Sequence, residues 1–481
     1  MTCVKRAHPI AMIESMGRLL FLLVIPFFRG LLTVGTSEGL AIWLKGVWID
    51  FLVLVGILFL GYVRWLFRRH QISEGGIWLD RGLFFRRVVR IPKEAILSLR
   101  MEESWYLRPF RAVRVRLEPE HGRSRFDLRM IVSRKEGEAL AALFSRGKGS
   151  ADWSYRPRWF QVGGLSLFFS NTLAGVIFFS TVLKRVGEIL GEELRWVILS
   201  TVEEAAKVLF FIPRTTAILS LILLLGWLAA FGRNLLRYRG FRAERRGDVL
   251  KVEGGLVTRQ TLFCRRDRII YADLRQSVLT WLLGVYTVGI RTAGREFGGE
   301  KGKQLVLIPA GKGEAGKREL EGLLPGFHQQ KNQLTGGQGT LFRFCAPVLG
   351  VVALIPVVGV WVYRTFPHWG ELIGFLTVAG LMPALWMIAV RVADRYRGGI
   401  GVKKNCVTLR YARGFTLHTV VIPADRIGRA VIRTSLFQRR RGLCDLQIST
   451  VGMQDRVHPV RNVQEGVARE LLGLVELSPS E

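Results

Sequence analysis

Three short blocks of this chain keep the same internal spacing without a gap. In the middle block Ile269 is followed by Ser277 and Gly284, and the same steps of eight and seven residues recur as Ile96, Ser104 and Arg111 upstream and as Ile427, Ser435 and Gly442 downstream. Each block opens on a glycine turn (Gly82, Gly254 with Gly255, Gly414) that leads into a strand-like run such as LFFRRVVRIP or FTLHTVVIP. Two departures mark the copies: Arg111 stands where the others have Gly, and the third copy lacks one residue between turn and Ile. The marker serines lie 173 and 158 residues apart. That period is too long for a solenoid, so the chain is built from three domain-sized units.

Each block is preceded by two long apolar runs and then a cluster of arginines. The runs fall at about 19–34 and 47–63, 159–182 and 215–231, and 341–363 and 372–390. The arginines after each pair include Arg64, Arg68 and Arg69, then Arg233, Arg237 and Arg239, then Arg391, Arg395 and Arg397. Read by the bias of Lys and Arg toward the cytoplasmic face, the three exits give one orientation, with the N-terminus and all polar domains in the cytoplasm. The first run follows Lys5, Arg6 and Arg18 as a signal peptide would, but no small-x-small cleavage site follows it, so it is read as the first helix of an uncleaved hairpin. Lys and Arg exceed Asp and Glu by 32, and hydrophobic residues make up 49% of the chain. A basic surface beside apolar spans fits anionic phospholipid headgroups more economically than nucleic acid, and no nucleic-acid partner is expected. The five cysteines have no C-x-x-C or metal-ligand spacing, which fits a reduced compartment.

After each exit the pattern changes to short alternating strands. In the third copy these are expected at 398–403, 407–411 and 415–422, and amphipathic segments at 135–144, about 314–324 and 463–474 are expected to close the three domains as helices. Strands followed by one helix outline a pleckstrin-homology-like barrel or sandwich, and other small β folds with a capping helix share that pattern. The expected organisation is therefore membrane hairpins at 1–69, 151–237 and 331–393, alternating with PH-like domains at 70–150, 238–330 and 394–481.

The run RGxxxRxxxxIP behind paired spans, with the Ile, the Ser and LLG at fixed distances, resembles the bacterial membrane pleckstrin-homology family of the YdbS and YdbT type. The likeness extends over essentially the whole chain, is sharpest from Gly254 to Thr292, and YdbT-like members similarly have three such units. It implies a fold and a membrane topology. It brings no defined activity and no catalytic residue set.

Motifs for chemistry are sparse. GKGEAGKR at 311–318 nearly fits a phosphate loop, but Arg318 stands where a magnesium-holding hydroxyl is required. The seven histidines show no ligand spacing, are expected at the surface, and suggest neither a metal centre nor a cofactor. Within the apolar runs, Arg29 and Asp50 fall toward the same side of the first hairpin and are expected to pair, because lone charges in hydrocarbon are costly. Prolines at 26, 347, 356 and 383 keep a transporter or lipid-moving role as the alternative, with an enzyme a more distant one.

The stretch just after each marker Ser mixes large apolar residues with arginines. Trp105, Tyr106 and Arg108, then Arg275 and Trp281, then Arg439, Arg440 and Arg441, are the residues expected to face lipid. The functional expectation is a non-enzymatic membrane scaffold or adaptor. It would present three cytoplasmic PH-like domains to inner-leaflet lipids or to a protein partner, a smaller membrane protein of the same family being one candidate.

Overall fold

The computed structural model describes residues 5–16, 39–73, 75–82, 86–119, 128–144, 151–158, 161–164, 214–292, 305–332, 334–335, 341–403, 405–451, 457–466, 468–469 and 473. Contacts divide the chain into two compact units. One comprises Met1–Asp152 with Glu244–Arg268 and Gly294–Lys301; the other comprises Trp153–Ala243 with Ile269–Ala293 and Gly302–Glu481.

In the first unit, β1 (Lys5–Arg6), β2 (Arg68–Ser73), β3 (Gly76–Arg81) and β4 (Arg87–Pro92) form one antiparallel sheet in that order. β5 (Ile96–Ser104), β6 (Ala112–Pro119) and β7 (Arg129–Ser133) form a second, followed by helix α3 (Arg134–Phe144). Earlier in the chain lie α1 (Ala11–Met16) and the apolar α2 (Gly39–Leu66). The strands alternate, so one face of each sheet is apolar. Ile77, Leu79 and Ile91 meet Leu99, Val115 and Val132, while Leu140 and Phe144 of α3 join the same core. This is the expected sandwich capped by a helix.

The repeat pattern does not show how the copies are joined. Strands β10 (Val249–Gly254) and β11 (Thr258–Arg265) are the third and fourth strands of the second copy, preceded in the chain by β8 (Trp153–Tyr155) and β9 (Arg242–Arg246). β11 pairs antiparallel with β5 of the first copy, giving the order β7-β6-β5-β11-β10. Its Phe263 enters the first copy's core, with its ring 6.5 Å from that of Phe144.

The second unit repeats the join one copy later. β12 (Ile269–Gln276), β13 (Val285–Thr292) and β14 (Leu305–Lys312) finish the second copy. β15 (Leu334–Thr335), β16 (Gly399–Lys403), β17 (Cys406–Arg413) and β18 (Thr416–Pro423) begin the third. All seven form one sheet, β14-β13-β12-β18-β17-β16-β15. The last sheet is β19 (Ile427–Arg433), β20 (Leu443–Thr450) and β21 (Val457–Gln464). Leu409, Val420 and Ile422 pack on Leu446, Ile448 and Val460, with Tyr271 of β12 added from the neighbouring copy.

The register is the same at both joins. Phe263 and Val421 each stand six residues before the marker Ile of their own copy, and they lie opposite Leu99 and Ala272, each five residues before a marker Ser.

The helices preceding the strands are partly described. α4 (Arg214–Tyr238) leads to the second copy; α7 (Leu341–Thr365) and α8 (Gly370–Arg397) pack as a hairpin before the third. Two described segments, Cys345–Thr365 and Leu372–Arg397, are long and apolar enough to cross a membrane, and Phe51–Leu66 is apolar but shorter. Pro347 and Pro356 lie inside α7 and Pro383 inside α8. Gly359 lets the hairpin close: a Cβ there would lie 2.4 Å from Oγ1 of Thr377. The expected span at 19–34, most of that at 159–182, Arg29 and the side chain of Asp50 lie outside the described residues. Of the three expected hairpins, the third is therefore the one with both helices described.

Candidate membrane-facing site

The fixed spacing behind the marker Ile has a local cause. In the second and third copies the Ser caps a short helix: Ser277 accepts from Thr280 N–H before α5 (Val278–Leu282), and Ser435 accepts from Gln438 N–H before α9 (Leu436–Arg439). Both are reciprocal caps, because Thr280 and Gln438 side chains accept from the backbone N–H of the capping Ser. Seven residues on, the chain leaves the turn in the left-handed region, at Gly284 (φ 66°) and Gly442 (φ 61°). The first copy makes the same exit with Arg111 at φ 50°, so the one departure from the marker pattern keeps the backbone and gives up only the residue that adopts it most easily.

These turns present apolar side chains to the outside. Trp105 is 67% exposed and Phe110 is 55%, while Leu107 between them is fully buried. Leu107 packs with Ala7, Ile10 and Trp65, the last at the end of α2, so the first turn sits beside the exit of that helix. Tyr106 accepts a hydrogen bond at 2.6 Å from Arg114, and Arg108 donates to the carbonyl of Leu256 at 2.5 Å. In the second copy Trp281 is half-buried and packs with Trp386, Val390 and Ala393 of α8. That contact leaves Leu282 (71%) and Leu283 (53%) exposed next to an apolar helix at its arginine-bearing end. Arg275 donates to Asp273 at 2.9 Å instead of standing free among them. In the third copy Leu436, Arg439, Arg440 and Arg441 are all exposed.

A second constellation, not found from the sequence, lies at the join of β12 and β18. Asp273, 2% exposed, accepts from Arg275 and contacts Nδ1 of His418 at 3.0 Å. The His418 ring stacks on Tyr411 at 5.3 Å between centroids, and Tyr411 Oη meets Nδ1 of His458 at 2.8 Å. Burial opposes ionisation of Asp273, but hydrogen bonding and charge from His418, then Arg275, outweigh it and hold the carboxyl well below the usual carboxylate range. The matching positions of the first join carry the same pair with the signs exchanged. Arg100 takes the place of Asp273, Glu102 that of Arg275, and the two are 3.1 Å apart. Arg100 then donates to Gln260 at 2.7 Å, as Asp273 contacts His418. The expectation of surface histidines fails here, since His70, His418 and His458 are all buried. Burial lowers the pKa of His70 in spite of Glu136 3.7 Å away.

The phosphate-loop likeness has a packing explanation. Residues 311–318 run from the end of β14 straight into α6 (Gly313–Leu323). A Cβ on Gly311 would lie 2.6 Å from the Tyr286 ring and one on Gly316 would lie 2.6 Å from its hydroxyl, so both glycines make room for Tyr286. That hydroxyl donates to the carbonyl of Gly313. Among the described residues no group of His, Cys, Asp and Glu is arranged to hold a metal ion. Cys264, Cys345, Cys406 and Cys444 are free thiols and buried, and burial pushes Cys444 up to about 11.

Three runs of short strands, each behind apolar sequence, correspond to three matches of one family model, that of the bacterial PH domain, over residues 23–148, 197–323 and 348–476. The chain is a bacterial PH-domain protein. Each match in this bacterial PH-domain protein spans apolar sequence and the strands that follow it, so the family unit includes both. No curated protein and no solved structure matches the chain.

Proposed function

We propose that this bacterial PH-domain protein is a non-enzymatic membrane scaffold or adaptor. In this reading its three copies are held against the inner leaflet, where the turns after the marker serines dip apolar tips among lipids and the arginines meet anionic headgroups. A partner protein docks on the remaining surface. The observation that carries it is the second turn. Trp281 is fixed on the end of α8 while Leu282 and Leu283 point outward beside an apolar helix, an arrangement that leaves apolar surface bare in water and covered at a bilayer. Exposed Arg439, Arg440 and Arg441 add roughly 1 kcal/mol each near an anionic surface, enough to seat a domain already tethered by its own helix. The Asp273–His418 pair supports a structural role, because it is spent on joining two strands.

The test uses the full chain in lipid nanodiscs with an environment-sensitive fluorophore on Leu283→Cys, and on Val451→Cys, an exposed position directly after β20 in the third copy, as a control. Quencher-bearing lipid should dim the label at 283 and spare the one at 451, and lipid-charge dependence should vanish on replacing Arg439, Arg440 and Arg441 by Gln. Equal behaviour at the two sites, or indifference to lipid charge, refutes the reading.

A further inference from the structure

The joins between copies are directional, and among the described residues one edge of each kind is open. Each join sets the fifth strand of one copy (β5, β12) against the fourth strand of the next (β11, β18). Among the described residues the remaining fourth strand, β4, and the remaining fifth strand, β19, are paired on one side only. The end sheets are also complementary pieces. Sheet β14-β13-β12-β18-β17-β16-β15 consists of three strands from one copy and four from the next; among the described residues β19–β21 form a sheet of the same three alone and β1–β4 a sheet of the same four alone. Burial follows the pairing. Leu99 and Ala272 are fully buried in the joined copies, whereas Ala430, at the same position, is only half-buried, and Val88 is half-exposed where its counterpart Thr419 is fully buried.

We infer that β19 of one chain pairs antiparallel with β4 of a second copy, in the register that both internal joins use. A row of unpaired backbone groups is a template for just such strand addition. Transferring the register places Arg90 opposite Ala430, Val88 opposite Ile432 and Arg87 opposite Arg433. Ala430 and Ile432 belong to the face that packs on the third copy's core, so Val88 would cover apolar surface that is now open.

The contact is weaker than the internal ones, and the residues say why. Arg90 replaces Phe263 and Val421, Arg87 replaces Gln260 and His418, and Val431 stands where Arg100 and Asp273 make their bonds across the join. Like charges directly opposite are unfavourable, and Arg87 against Arg433 is one such pair. The inference rests on the membrane reading, since two copies confined to one surface meet at an effective concentration that a weak strand pairing requires. A head-to-tail contact of this kind either closes into a ring or propagates.

Two differently tagged full-length copies, one Val88→Cys and one Ile432→Cys, are co-expressed and oxidised in their membranes. Opposed residues in a ladder have Cα atoms at disulfide range, so a mixed disulfide should form, and Ala430→Cys, two residues out of register, should give far less. Arg433→Glu, which turns the repulsive pair into an attractive one, should raise the linked fraction roughly two- to tenfold. Absence of the link, equal yields from both registers, or Ile432→Cys linking to some other protein overturns the inference, provided the variants melt as the parent does. Resistance of the protein to carbonate extraction is scored separately. A chain washed off the membrane defeats the membrane reading, while a membrane-held chain without the link defeats only the self-pairing.

Discussion

Removing the Asp273 carboxylate tests whether the polar group at the β12–β18 join holds the copies together. In Asp273→Ala, His418 loses its 3.0 Å contact and Arg275 its 2.9 Å bond, both at a site that is itself 2% exposed. Breaking a buried pair by deleting one member costs about 3 to 5 kcal/mol, and the lower end applies because Arg275 keeps a third of its side chain in water. About 3 kcal/mol corresponds to a fall in melting temperature of roughly 5 °C for a unit of about three hundred residues. The assay follows a thiol-reactive fluorophore in detergent, since Cys406 and Cys444 are free and buried and react when this unit opens. Asp273→Ala with His418→Ala should cost less than the two singles together, because the second change removes a group the first has already orphaned. The pH dependence has a definite sign. A carboxyl depressed in the folded state stabilises fully above its unfolded value of about 3.9, and the benefit is lost as pH falls through the folded value. The gap between the parent and Asp273→Asn should therefore shrink as pH falls below about 4. A cost under about 0.5 kcal/mol for Asp273→Ala, or a gap that widens in acid, would refute the reasoning.

Two further substitutions probe other parts of the architecture. Phe263→Ala should open the first copy, the neighbour of the one that encodes it, at a cost of about 3 kcal/mol; hydrogen exchange should speed up across 96–117, and protection unchanged there would show that the copies fold independently. Gly316→Ala should cost about 1 to 3 kcal/mol through its clash with Tyr286, whereas Lys317→Ala should fall within about 0.5 kcal/mol; the reverse order in thermal melts would restore the phosphate-loop reading.

Much of the fold was legible because it rests on local rules. The Ile-to-Ser-to-Gly spacing is a strand, a capped helical turn and a left-handed exit, each with a residue preference that survives in sequence. Strand alternation and the closing helices follow in the same way, and the closers at 134–144 and 313–323 fall within a residue of expectation. In the third copy β21 extends to Gln464, so the segment begun at 463 starts as strand. The joins were not legible, since Asp273 and His418 are 145 residues apart and neither is unusual in its own neighbourhood. The residues expected to face lipid fall between these cases. Trp105 and the arginines at 439–441 are exposed, while Trp281 packs on a distant helix and Arg275 is held by Asp273, which is itself tied to His418 of another strand, and no local pattern announces either.

The exchange of Arg100 and Glu102 for Asp273 and Arg275 carries a more general point about how such a chain avoids joining wrongly. Both internal joins use one register and one backbone geometry, so hydrogen bonding alone would allow β5 to take β18 as readily as β11. The side chains differ. Arg100 at the first join meets Gln260, a neutral amide, whereas β18 would offer it the imidazole of His418, which meets Asp273 at its own join. In the other mismatch, β12 on β11, Asp273 would meet Gln260, leaving Arg275 as its sole ionic partner. Discrimination then comes from leaving a buried polar group poorly matched in the wrong pairing, which costs more than the right pairing gains. Edge strands alike enough to be recognised as repeats need such a difference, and here it sits on two residues of each fifth strand and one of each fourth.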